Sequence, residues 1–183
     1  IIYNGASSAR GALGYVEAAA EIWEQISSNA ESAAIRNVCI PGGNGGLAAG
    51  FIYGTALLGN PFHVELISVE HEAEPLREII SAFLKDLEKL CGVPMPCPLE
   101  QTATLHGAYR FGGWGVITPE VEEFCIRFAR TEGIFIEKVY TCKTLYGMCD
   151  LAKKGYFHDG TCYLHSGGIG ALFSQYHIPG GGV

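Results

Sequence analysis

Apolar and polar residues follow two periods along this chain, and the switches between them mark out its elements. Between Ala12 and Ser32 the apolar positions Leu13, Val16, Ala20, Trp23 and Ile26 recur at helical spacing, with Ser7 or Ser8 ahead of them as a capping residue. Val38 to Ile40 form a short apolar run suited to a buried strand, and Leu47 to Leu58 a small-residue helix that must pack closely on a sheet. His63 to Val69, with Val64, Leu66, Ile67 and Val69, predicts the next strand. Over residues 74–90 Leu76, Ile79, Ile80, Phe83, Leu84 and Leu87 share one helix face, which leaves Arg77, Lys85, Asp86 and Lys89 to water.

The pattern breaks from Cys91 to Gly115, where prolines at 94, 96 and 98 are followed by Gly107, Gly112, Gly113 and Gly115. This stretch is expected to be a long connection of the kind that binding sites use. Thr118-Pro119-Glu120 is a cap with proline in the first turn and opens a helix through Arg130. Ile134 to Ile136 is a short apolar piece, Thr144 to Lys154 a helix, Cys162 to His165 a strand and Gly168 to Tyr176 a last helix. Strands alternating with helices predict an α/β fold, three layers with a largely parallel sheet, as one unit over residues 1–183.

One junction in this series carries chemistry. In RNVCIPGGNGGLAAGF, residues 36–51, an apolar strand breaks into glycines and resumes as a helix. Gly42, Gly43, Gly45 and Gly46 remove the β-carbons that would keep an anion from the amide N–H groups, and the helix dipole adds partial positive charge there. A phosphate fits such a turn, and tight strand-to-helix packing is the alternative. The spacing is neither that of the lysine-tipped phosphate loop nor GxGxxG. A second strand-glycine-helix junction at Tyr163-Leu164-His165-Ser166-Gly167-Gly168 falls where it can line the same crevice, outside the carboxyl ends of parallel strands. His165 by itself reads as a histidine satisfied by backbone groups.

Composition narrows the rest. With 48% hydrophobic residues in 183 the chain can bury a substantial core. A net charge of −7, 12 Lys+Arg and no basic cluster beyond Lys153 and Lys154 argue against a nucleic-acid surface. No apolar run approaches the ~20 residues that span a bilayer and no charged-then-apolar leader opens the chain, so no membrane partner and a cytoplasmic location are expected. The cysteines, 7 in number, lack paired metal spacing and read as reduced thiols, with no metal implied. The chain opens on Ile1, and IIYNGASS reads as a strand entering a turn, so truncation at the N-terminus is expected.

The order GALGYVEAAAEI, PGGNGGLAAGF, ARTEGIFIEKVYTCKTLYGMCDLAKKGYF and YLHSGGIGALF closely resembles the C-terminal part of the D-cysteine desulfhydrase and 1-aminocyclopropane-1-carboxylate deaminase family, pyridoxal-phosphate enzymes of the tryptophan-synthase-β-like fold type II. The resemblance spans Gly5 to Tyr176. It implies a cofactor phosphate cradled by Gly43, Asn44, Gly45, Gly46 and Leu47, where Leu47 stands in place of a common threonine. It also implies Tyr140 beside the substrate, Thr141 facing the pyridine nitrogen, and Ser166 and Gly167 at the cofactor. A hydroxyl facing that nitrogen makes the ring a weaker electron sink than a carboxylic acid does. Hydroxyl residues at both Thr141 and Ser166 therefore favour β-elimination from D-cysteine over opening of a cyclopropane ring, with the deaminase as the alternative.

Two departures qualify the resemblance. Gly113-Trp114-Gly115 replaces a segment that usually carries tyrosine. The lysine forming the Schiff base, and the Ser-Asn segment for the substrate carboxylate, match no residue here; Lys138 and Lys143 flank Tyr140 without matching that lysine. The chain alone is accordingly expected to be inactive, and the full-length protein to be a homodimer acting on a small amino acid. A reading of another class is a phosphate-binding or interaction domain without catalysis.

Overall fold

The computed structural model describes residues 4–175. Helix α1 (Ala9–Ser28) starts where Ser8 accepts a hydrogen bond from the Gly11 amide at 3.1 Å, one of the two serines expected to cap it. Strand β1 (Ile35–Gly42) leads into α2 (Gly46–Leu57), followed by β2 (His63–Ser68) and α3 (Ala73–Cys91). Helix α3 buries Leu76, Ile80, Leu84 and Leu87 and ends on Gly92 in the left-handed conformation. Then come α4 (Leu99–Thr102), β3 (Ala103–His106), α5 (Pro119–Glu132), α6 (Thr141–Lys153), β4 (Gly160–Tyr163) and α7 (Ile169–Gln175).

The four strands lie in the order β3-β2-β1-β4, all parallel, with Val38 opposite Val64 and Cys162. One face carries Val38, Ile40, Val64 and Leu66 into a core shared with α1, α2 and α3. On the other, Ile67 packs with Tyr109 and Leu151, beside a cluster of α5 and α6 that includes Val121, Phe124, Cys142 and Leu145. The sheet is thus covered on both faces, as parallel strands require. Helix α2 is buried along nearly its whole length, and α1 lies on it so closely that a β-carbon on Gly50 would stand 2.2 Å from the Ala12 carbonyl oxygen.

The structure corrects the reading of residues 91–115. An irregular stretch over residues 92–98 is followed by α4 and the edge strand β3, which pairs Val64 with Ala103 and Ile67 with His106, before the chain beyond His106 becomes irregular again. Helix α6 begins at Thr141, three residues ahead of Thr144, for a reason found in the site below. The last helix is described only as far as Gln175, so its expected end at Tyr176 lies outside the described residues. Among the described residues all the cysteines are free, no cluster of side chains suits a metal ion, and no helix is long and apolar enough to cross a membrane.

Candidate functional site

The carboxyl end of β1 and the start of α2 form the floor of the site. Gly45 caps α2 at φ 87° with no side chain bonded to the helix end, so the first amides of α2, which have no partner inside the helix, are left to whatever enters the turn. A β-carbon at Gly45 would lie 2.6 Å from Cγ2 of Ile79, so packing and backbone conformation both require glycine. The turn opens into a cleft of about 460 Å³. Of the residues singled out in the sequence, Gly43, Asn44, Gly45, Gly46, Leu47, Tyr140 and Ser166 line it, joined by Ser7, Tyr15 and Trp114. Other clefts lie along α5, for example between Glu120, Arg127 and Lys153, and hold none of these residues.

Thr141 and Gly167 are placed beside the lining. Thr141 is buried as the first residue of α6, and its hydroxyl accepts from the Glu137 amide at 2.8 Å and donates to the Glu137 carbonyl at 3.1 Å. The Gly167 amide donates to Nδ1 of His165 at 3.2 Å, and Nε2 of the same ring donates to the Phe135 carbonyl at 2.9 Å. His165 is thus satisfied by backbone on both nitrogens, in one tautomer, and shapes the turn that presents Ser166.

Tyr140 owes its place to Glu137. The buried Glu137 carboxylate accepts from the amides of Val139, Tyr140 and Thr141 at 2.7, 2.6 and 2.6 Å, which starts α6 from four residues upstream. The Tyr140 ring then stands against Gly43, and its hydroxyl accepts from Nε1 of Trp114 at 2.5 Å. Burial raises the Tyr140 pKa above the ordinary phenol value; the Trp114 N–H pulls it down and the Glu70 carboxylate pushes it up. Glu70 follows the end of β2, and its Oε2 is buried without a hydrogen-bond partner near Gly43. Glu137 and Glu70 were not singled out by the sequence: Glu137 lies in the block ARTEGIFIEKVYTCKTLYGMCDLAKKGYF without a role of its own there, Glu70 lies in no motif, and each acts through loops that fold together.

The two lysines beside Tyr140 are committed elsewhere. Lys138 donates to Glu122 and to the Gln175 carbonyl, and Lys143 donates to the carbonyls of Arg110 and Gly113 at 2.9 and 2.7 Å.

A cradle of bare amides facing an aromatic wall and serine hydroxyls suits a flat, phosphorylated ligand, at the edge where parallel α/β sheets bind such molecules. Comparison with known proteins agrees. Residues 1–167 match the family described as pyridoxal-phosphate dependent enzyme, and the chain belongs to that family. It is 32% identical over 173 residues to a protein of Pyrococcus horikoshii named "Putative 1-aminocyclopropane-1-carboxylate deaminase", covering 94% of this chain and 50% of that protein. A protein of the same name from Pyrococcus furiosus is 34% identical over 173 residues, covering 94% and 51%. A solved structure titled "Crystal Structure Analysis of the ACC deaminase homologue" superposes with a TM-score of 0.77 at 32% identity, covering 90% of this chain and 48% of that one. The fold is therefore that of the fold type II pyridoxal-phosphate enzymes, and the chain spans about half the length of the relatives it matches.

The residues present fit the cofactor. The amides from Gly43 to Gly46 suit its phosphate, a β-carbon on Gly43 would collide with Tyr140, and the cleft beyond is bounded by the rings of Tyr15, Trp114 and Tyr140 and the hydroxyls of Ser7 and Ser166.

Proposed function

We propose that the protein carrying this chain is a pyridoxal-phosphate-dependent enzyme that deaminates a small amino acid, with 1-aminocyclopropane-1-carboxylate as the first substrate to test. The observation that carries this reading is the single cleft in which the glycine turn, Tyr140 and Ser166 meet. When bound, the cofactor supplies a conjugated ring that draws electron density from the substrate's Cα. The Gly43–Gly46 amides hold its phosphate, and Leu47 adds an aliphatic wall. Tyr140 is the substrate-side group. Trp114 can only donate to its oxygen, so the phenol proton is left to point elsewhere, and burial pushes its pKa above the ordinary phenol value. Thr141 and Gly167 shape the wall from behind.

The same cleft supports a second reading. Its lining offers hydroxyls, Ser166 among them, and no carboxylate, which favours β-elimination of sulfide from D-cysteine over ring opening. In both readings the lysine that bonds the cofactor belongs to a part of the protein outside this chain, and the working form is a cytoplasmic homodimer.

The test is to supply the full-length, cofactor-loaded protein with each substrate. Ring opening consumes water and yields 2-oxobutyrate and ammonia; desulfhydration consumes water and yields pyruvate, sulfide and ammonia. Release of 2-oxobutyrate supports the first reading and sulfide the second. Ammonia from neither, or no cofactor retained, overturns the proposal.

A further inference from the structure

Lys143 lies one turn after Tyr140 on α6, and its side chain is fully buried. Burying an ammonium is costly unless its hydrogen bonds are made, and an apolar side chain would fill the same space at less cost. Both hydrogen bonds of this ammonium go to one loop, to the carbonyls of Arg110 and Gly113. Burial lowers the lysine's pKa while Glu137 resists the change.

Besides this grip the loop is held by side chains at its start, where Arg110 pairs with Glu72 at 2.7 Å and the Phe111 ring packs edge-on against Tyr146. Phe111, Gly112, Gly113 and Gly115 have φ of 54°, 96°, 118° and 75°, so the segment cannot join a strand or helix. Its internal bonds are single turns, from the Gly113 amide to the Arg110 carbonyl at 3.1 Å and from the Val116 amide to the Gly113 carbonyl at 3.3 Å. Lys143 binds those same two carbonyls. The next residue, Trp114, is 59% exposed and reaches the Tyr140 hydroxyl. Helix α6 thus holds the loop at two points three residues apart, one polar contact at the base and one at the tip.

We propose that Lys143 is a positioning residue: its ammonium fixes the loop of residues 110–115 so that Trp114 stays on the Tyr140 hydroxyl at the wall of the cleft. The consequence for turnover rests on the function proposed above, whereas the consequence for Trp114 does not. An indole displaced by 1 Å removes the donor that sets the phenol's orientation, and a misplacement of that size costs on the order of 100-fold in rate.

The experiment uses full-length protein labelled with 5-fluorotryptophan, the Trp114 resonance being assigned by its loss in Trp114→Phe. Lys143→Met, close to lysine in length and without charge or donor, should shift and broaden that fluorine resonance and leave the other tryptophans in place. With the cofactor bound it should lower kcat by at least about 10-fold and change KM by less than about 3-fold, since substrate binding is not what the clamp supplies. Lys143→Arg, which keeps a cation and its donors, should restore the resonance and most of kcat. If Lys143→Met does not fold, Lys143→Gln, a neutral donor one bond shorter, should give an intermediate shift. An unmoved Trp114 resonance in whichever folded variant is obtained overturns the proposal, as does a loss that Lys143→Arg does not rescue. A shifted resonance in a protein that turns over neither substrate leaves the clamp standing and overturns the proposed function instead.

Discussion

A β-carbon on Gly43 would stand 2.8 Å from Cε1 of Tyr140. The glycine whose amide is proposed to face the phosphate is thus also the one that lets the Tyr140 ring lie against the turn, so one contact sets two walls of the cleft.

Gly43→Ala should therefore damage both functions of the turn. The added methyl must push the ring away or open the turn, an overpacking cost of roughly 1–3 kcal/mol, and pyridoxal-phosphate affinity of the full-length protein should fall at least about 10-fold. Cofactor absorbance retained after dialysis measures the affinity. Gly46→Ala is the contrast for stability, since a β-carbon there meets nothing nearer than the Ser7 Cα at 3.6 Å, and it should unfold at no lower a denaturant concentration than the parent.

Glu137 is the second point of control, because its carboxylate supplies the start of α6 and with it the direction of Tyr140. Glu137→Gln keeps one acceptor oxygen for the Tyr140 and Thr141 amides and turns a donor toward the Val139 amide. The structure should lose about 2–4 kcal/mol, summed from one or two charge-assisted hydrogen bonds and an amide left unpaired. Denaturant titration checks the loss. Unchanged stability would mean that α6 is started by something other than this carboxylate.

The sequence made most of the fold legible because its long elements declare themselves. The apolar stripe of α3 and the Thr118-Pro119 opening of α5 are local signals, and both helices fall within a few residues of where the pattern puts them. Strand β3 was missed because four residues, Ala103–His106, are too short to show a period and follow three prolines. The start of α6 was misread because its cap comes from a side chain at Glu137, outside the window in which Ser, Thr, Asp or Asn announce a helix. Within the site the glycines and Ser166 were legible from their junctions with strands. Glu70 and the partners of Lys143 depend on which loops meet over the sheet, and nothing in their sequence neighbourhood encodes that.

Two glycines of the helical layer should respond to alanine with opposite sign. A β-carbon on Gly50 of α2 would enter the Ala12 carbonyl at 2.2 Å and force α1 away, whereas one on Gly14 of α1 meets nothing within 4 Å. Gly50→Ala should cost roughly 1–3 kcal/mol or prevent folding. Gly14→Ala should stabilise by about 0.5–1 kcal/mol, the ordinary gain of alanine over glycine inside a helix. Thermal unfolding of the two variants beside the parent decides both.

Stability should fall on the alkaline side of neutrality, and the thiols set where the fall begins. Burial raises the pKa of Cys39; a hydrogen bond with Cys125, together with burial, raises that of Cys142. Burial likewise raises Cys149, Cys162, Tyr140 and Tyr163. An unfolded thiol loses its proton near pH 8.5 and an unfolded phenol near pH 10, while the native groups keep theirs. Above about pH 8.5 the native state then binds more protons than the unfolded one, so the unfolding free energy declines as pH rises, by about 1.4 kcal/mol per pH unit for each proton so retained. Lys143, with its pKa lowered, acts the other way as one group against several. Denaturant unfolding at pH 7, 8.5 and 10 should give a flat first interval and a steep second one, and Cys39→Ala, which removes a fully buried thiol, should make the second interval less steep. A free energy that stays level to pH 10 would show that these thiols and phenols are reached by water in the native protein.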